Sequence, residues 1–207
     1  MTRPHPINRA KKLPRRAVQA RSRNTVETIV EAATRILASD GWSALNTNAV
    51  ARIAGVSVGS VYEYFKNKEA ILDVILDRHL SSGEAQLAEL AAVTHDAVCL
   101  DDIVGLLVEG FVVVHCDNPR LHRVLSGEVP VSDRQRERIN QIRSQAIALL
   151  AGLFAGRVER PELKATLMID AADALTHKWF VDEHGVPAKP GDMTRELQQM
   201  LRSYINA

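Results

Sequence analysis

Aromatic side chains are scarce in this chain, with four Phe, three Tyr and two Trp among 207 residues. Stacking on a large planar ligand therefore has few partners. Only two cysteines occur, Cys99 and Cys116. On one unbroken helix they would sit about 25 Å apart, against roughly 7 Å between bridged Cα atoms. Both are therefore expected to be reduced, as in a cytoplasmic protein. No stretch approaches the apolar length of a membrane span or a signal-peptide core, so no membrane partner is expected. There is no phosphate loop, no Gly-x-Ser-x-Gly elbow and no metal-spaced Cys/His set. Catalytic residues, metal ligands and cofactors thus have no candidates, and an enzyme is not expected. Sustained period-two alternation is also missing, which excludes a sheet protein and leaves an all-α fold.

Acidic residues are absent from the first 23 positions, which hold eight Lys or Arg together with Pro4, Pro6 and Pro14. The net charge of +1 hides an asymmetry: residues 1–70 carry 12 basic against 5 acidic groups, and residues 71–207 carry 14 against 20. The basic end is read as a disordered arm over residues 1–20 that raises affinity for a polyanion. Arg21 and Arg23, nearest the first helix, can reach a minor groove or its phosphates.

Residues 45–68 carry the most information. Asn46 or Thr47 can cap a short helix bearing Val50, Ala51 and Ala54. Gly55 suits the left-handed residue that ends it. Val56 reads as a buried hinge contact and Ser57 as the N-cap of a second short helix. Upstream, Val26, Ile29, Val30, Ala33, Ile36 and Leu37 repeat at helical spacing, with Asn24 and Glu27 as a capping box and Gly41 as the stop. Downstream, Asn67 can cap a connector helix with Glu69 near its positive end. Two short helices around a glycine turn have the form of a helix-turn-helix, whose second helix enters the major groove.

The segment 24–76 resembles the DNA-binding domain of the tetracycline-repressor (TetR) family of transcriptional regulators. The resemblance rests on Ala32-Ala33, Gly41-Trp42, Thr47, Val50-Ala51, Ala54-Gly55-Val56-Ser57, Gly59-Ser60-Val61-Tyr62, Tyr64-Phe65, Asn67-Lys68-Glu69 and Leu72. It implies that Thr47 and Asn48 touch DNA and that Lys68 clamps a phosphate. The chemistry of the second helix fits the same role. Ser57, Gly59 and Ser60 keep it slim. The hydroxyls of Ser57, Ser60, Tyr62 and Tyr64 can bond phosphates or base edges, and Val58 and the Tyr62 ring can meet thymine methyls. Glu63 departs from this pattern and is left out. The predicted DNA-contacting set is Arg23, Thr47, Asn48, Ser57, Val58, Gly59, Ser60, Tyr62, Tyr64 and Lys68. The domain is placed at residues 21–76.

Residues 77–207 read as a second helical domain. Ser81-Ser82-Gly83 suggests a break in the connector, with a separate helix over Glu84–Val93. The helix 101–116 is apolar on most sides and should be central. Ser132 to Gln135 forms a capping box that opens a long helix to about Ala155; a helix from Glu162 to about His184 and a last helix from Asp192 or Thr194 follow. The resemblance implies that this half binds a small effector and dimerises through its last two long helices. Apolar stripes of Leu167, Ala171, Ala174 and Leu175, and of Leu197, Met200, Leu201 and Tyr204, can close a four-helix bundle between two chains. Candidate pocket residues are Leu107, Phe111, Val114, His115, Met168 and Trp179, with His115, His122 and His177 able to orient a ligand. Asp170, Asp173 and His177 share a helix side but read as an ordinary polar face rather than a metal site. The expected function is that of a homodimeric repressor released from a palindromic double-stranded DNA operator by a small molecule. The alternative is a helical enzyme or small-molecule carrier with an incidental helix-turn-helix.

Overall fold

The first helix, α1, runs over Arg15–Asp40 and buries Ile29, Val30, Ala33, Ile36 and Leu37 along one face. It begins well before Asn24, so Asn24 and Glu27 lie within it and form no capping box. The Glu27 carboxylate instead accepts from both terminal nitrogens of Arg78, at 2.6 and 2.7 Å. That contact holds the Glu27 carboxyl below its usual range. Residues 15–20 of the expected arm are thus helical. The computed structural model describes residues 15–93, 98–181 and 189–207, so residues 1–14 of the arm lie outside it.

A left-handed Gly41, φ 78°, ends α1 and leads through the 3-10 turn Trp42–Ala44 into α2 (Thr47–Ala54) and α3 (Val58–Tyr64). A Cβ on Gly41 would lie 2.8 Å from the Glu128 carboxylate, which accepts from the Trp42 N–H at 3.2 Å. Glu128 can swing aside, so the backbone decides the cost. Gly41→Ala should destabilise the fold by about 1–3 kcal/mol, because φ 78° with ψ −177° is backbone essentially reserved for glycine. A denaturant midpoint equal to the parent's would remove that explanation.

The connector helix α4 spans Lys68–Ala91 without interruption. The expected break at Ser81-Ser82-Gly83 is absent for a visible reason. Ser81 Oγ donates to the Asp77 carbonyl one turn back at 2.8 Å, and the later helix Asp133–Phe154 braces the same stretch. Arg138 reaches Glu84 at 2.7 Å and Asp77 at 3.0 Å, and its guanidinium donates to Ser81 Oγ at 3.0 Å. Gln135, almost fully buried, adds a bond to Asp73 at 3.0 Å.

Then follow α5 (Leu100–Cys116), α6 (Pro119–Gly127) and α7 (Asp133–Phe154). α8 (Pro161–Thr176) continues through a π-helical turn, His177–Val181, and α9 covers Pro190–Ile205. The Ser132–Gln135 capping box is present as expected. α9 starts earlier than expected, with Pro190 in its first turn, where the missing N–H costs nothing. Among the described residues the regular structure is helical throughout, and Cys99 and Cys116 are free thiols.

Two apolar cores organise these helices. The first joins α1, α2, α3 and the start of α4, and it includes Val124 and Leu125 of α6. The second joins the end of α4 with α5, α7, α8 and α9. α6 thus lies beyond the connector in sequence yet packs into the head.

Candidate DNA-binding face and ligand cavity

Short-range capping sets the head. Asn46 accepts from the Ala49 N–H at 2.9 Å, Ser57 from Ser60 at 3.0 Å and Asn67 from Ala70 at 3.0 Å. Gly55, at φ 68°, turns the chain between α2 and α3. Val56 is half-buried against the first core rather than fully enclosed. Only Val61 of α3 is buried, together with Phe65 just after it. Val58, Gly59, Tyr62 and Tyr64 are exposed on the outer surface, with the Tyr62 side chain 54 % accessible. Nothing but Ser57 Oγ lies within 4 Å of a Cβ placed on Gly59, so its small size serves no internal contact.

Of the other expected DNA residues, Thr47 is tied to this face. Thr47 Oγ1 and the Tyr62 hydroxyl are 3.2 Å apart, linking α2 to α3. Ser57 and Ser60 share a hydroxyl contact of 2.9 Å. Asn48 and Arg23 are exposed. The Lys68 ammonium stands 3.9 Å from the Trp42 ring centre, which positions the cation while leaving it half-exposed. Sequence spacing alone did not disclose the Thr47–Tyr62 and Trp42–Lys68 pairs.

In the second domain a cavity of about 390 Å³ opens between α4, α5, α6, α7 and the end of α8, within the size range of small-molecule sites. Leu107, Phe111, Val114 and His115 line it, and so do His122 and His177. Met168 and Trp179 do not: Met168 is fully enclosed in the second core and Trp179 packs against that core. Sequence periodicity showed that they face inward but not toward which space. Missed were the α4 and α7 walls, including Leu80, Leu87, Ile139 and Ile142. They sit on helices whose apolar spacing marks an inward face without naming the space it borders.

Four histidines from four elements gather on one wall. His122 lies 4.3 Å from His115, 4.8 Å from His79 and 5.4 Å from His177, ring centre to ring centre. His115 Nδ1 is 2.8 Å from the Phe111 carbonyl, and its Nε2 is 3.5 Å from the Asp173 carboxylate. That imidazole holds the Asp173 carboxyl below its usual range. Burial, followed by the neighbouring His115, His79 and His177 rings, pushes His122 down to about 3. His79 is lowered by burial and by His115. No group of three or more His, Cys, Asp or Glu among the described residues is arranged to hold a metal ion.

The expected dimer stripes divide. Leu167 and Ala174 on α8, and Met200 and Tyr204 on α9, are exposed; Leu163, not anticipated, extends the α8 strip. Ala171 and Leu175 are half-buried beside the second core. Leu197 and Leu201 are buried inside their own chain's core, so they are not available to a partner. Met200 and Tyr204 flank them on the same side of α9, at its solvent-exposed margin.

Comparison with known proteins adds the family. Residues 29–75 match the bacterial regulatory proteins of the tetR family, and residues 100–205 match the tetracyclin repressor-like C-terminal domain. The fatty acid metabolism regulator protein of Bacillus subtilis is 26 % identical over 145 residues, covering 70 % of this chain and 73 % of that protein. Among solved structures, FadR from Bacillus subtilis in complex with stearoyl-CoA superposes with a TM-score of 0.62 at 19 % identity, over 84 % of this chain and 96 % of the other. NalD of Pseudomonas aeruginosa, the secondary repressor of the MexAB-OprM multidrug efflux pump, gives 0.66 at 20 % identity, over 89 % and 96 %. An exposed capped α3, an all-helical second domain and matches spanning both halves agree: the chain belongs to the TetR family of DNA-binding transcriptional regulators.

Proposed function

We propose that this regulator acts as a homodimeric repressor that grips a palindromic operator and is released by a small molecule seated in the second-domain cavity. One observation carries the reading. α4 and α6 each line the cavity and each contribute to the head's core, through Ile71, Leu72, Ile75 and Leu76 on α4 and Val124 and Leu125 on α6. A ligand that shifts either helix therefore moves the base of α3. Two copies of α3 must sit about 34 Å apart to enter successive major grooves, so a small change in the heads' spacing favours the released state. The exposed apolar strips of α8 and α9 supply the dimer contact. The residues proposed to meet DNA are the exposed set around α3, with Arg23 and Lys68 toward phosphate. The Bacillus subtilis relative solved with stearoyl-CoA makes molecules with a long apolar chain the class to test first.

The test is a gel shift at moderate salt with DNA upstream of the protein's own gene. Specific retention that a cavity ligand abolishes is expected; the absence of sequence-specific retention would overturn the reading. Tyr62→Ala should weaken specific binding by roughly 5- to 100-fold, the worth of about 1–3 kcal/mol for one good base contact. Its exposure predicts an unchanged melting temperature. Unaltered operator affinity would remove Tyr62 from the site.

A further inference from the structure

The cavity lining is chemically divided, and its charges are already spent. Most of it is aliphatic, from Leu76, Leu80 and Leu87 on α4 to Ile139 and Ile142 on α7. The fixed charges among the lining residues are Arg143, Asp170 and Asp173. Arg143 and Asp170 are paired at 2.5 Å, and Asp173 faces the His115 ring at 3.5 Å. The group left unmatched is uncharged. His122 is only 9 % exposed, and its Nδ1 is enclosed without a hydrogen-bond partner. Burial keeps this imidazole neutral at ordinary pH. A neutral imidazole has one N–H donor and one acceptor nitrogen. An enclosed polar atom without a partner costs about 1–3 kcal/mol, and a ligand group recovers that cost by reaching the nitrogen through a shift of the His122 ring. An added ion would find the fixed charges of the described lining already engaged and would lose its hydration.

We propose that the cavity selects a ligand with an extended apolar body and an uncharged hydrogen-bonding group, an ester-type carbonyl or a hydroxyl, placed against His122 on the histidine wall. This rests on the cavity being the effector site. It adds that the part of the effector that enters is neutral, whatever charge the remainder bears outside. A carbonyl accepts from the imidazole N–H; a hydroxyl can accept from it in the same way or instead donate to the bare ring nitrogen.

Calorimetric titration of the full-length protein without DNA tests this, using four probes with the same twelve-carbon chain: methyl laurate, dodecanol, laurate and dodecylammonium. At neutral pH the better of the two neutral probes is expected to bind at least about tenfold tighter than either ion, because a site built for one hydrogen-bonding pattern rejects mismatched groups strongly. The order of ester and alcohol identifies carbonyl or hydroxyl. His122→Leu should erase most of that preference, and His122→Gln, which keeps uncharged donors and acceptors, should retain it. If the leucine variant does not fold, the glutamine variant and the probe order still decide. Tightest binding by laurate or dodecylammonium, no binding of either neutral probe, or an intact preference in a folded His122→Leu protein would each overturn the proposal. Neutral-probe binding that leaves the operator gel shift unchanged would instead sink the release mechanism and leave the ligand class standing.

Discussion

Replacing Leu167 and Met200 together by glutamate should yield a folded monomer whose operator affinity is at least about 100-fold weaker than the parent's. Both side chains stand well exposed on the single chain, at 47 % and 45 %, so the carboxylates cost the isolated protomer little. In a twofold dimer the same surface meets its own copy. Four carboxylates would then be desolvated in one apolar contact, with like charges facing each other. Losing the dimer removes the second half-site, and the loss of two-point attachment is worth about 100- to 10,000-fold. Sedimentation combined with a gel shift reads both effects. A variant that remains dimeric would move the interface elsewhere on the chain. Leu197→Glu is the contrasting control. That residue is buried within its own core, so the substitution should unfold the second domain rather than merely separate subunits.

Acid should destabilise the second domain steeply, and His122 should account for most of the slope. An unfolded histidine titrates near 6.5, whereas folded His122 titrates at about 3. Between those values the unfolded chain binds more protons, so stability rises with pH across the window and is lost as pH falls from about 6.5 toward 3. The upper limit is about 1.4 kcal/mol per pH unit for one group. From pH 7 to pH 5 that approaches 2 kcal/mol, or a melting temperature lower by about 4–8 °C for a chain of this size. His79 is depressed by burial and by His115, partly offset by Asp117, and adds in the same sense. Asp173, held low chiefly by His115, loses its contribution only at still lower pH, as it protonates. His177 and His115 complete the group facing His122. Thermal melts at the two pH values, for the parent and for His122→Leu, measure the effect. A parent whose melting temperature is flat over this range, or a variant with the same slope, would show that the cluster does not control acid stability.

The fold of the head is largely legible in its local sequence. Asn46, Ser57 and Asn67 each bond an N–H three residues on, and Gly55 needs only its own backbone freedom. The errors arose where distant chain intervened. Ser81-Ser82-Gly83 has the composition of a break, but Arg138, more than fifty residues away, bridges that stretch. Asn24 and Glu27 have the spacing of a cap, but α1 starts earlier and Glu27 is taken by Arg78.

Local signals within one or two helical turns were therefore enough to establish an all-helical chain, a helix-turn-helix and the side chains its second helix presents. Amphipathic periodicity names the apolar face of a helix but not its neighbour. Docking of the helices decided that Leu197 and Leu201 are covered by their own core while Met200 and Tyr204, on the same side of α9, stay exposed. It also brought His79, His115, His122 and His177 from four separate elements to one wall, and seated α6 against both the head and the cavity. Those placements depend on how whole helices pack, and a helical repeat of 3.6 residues carries no record of that.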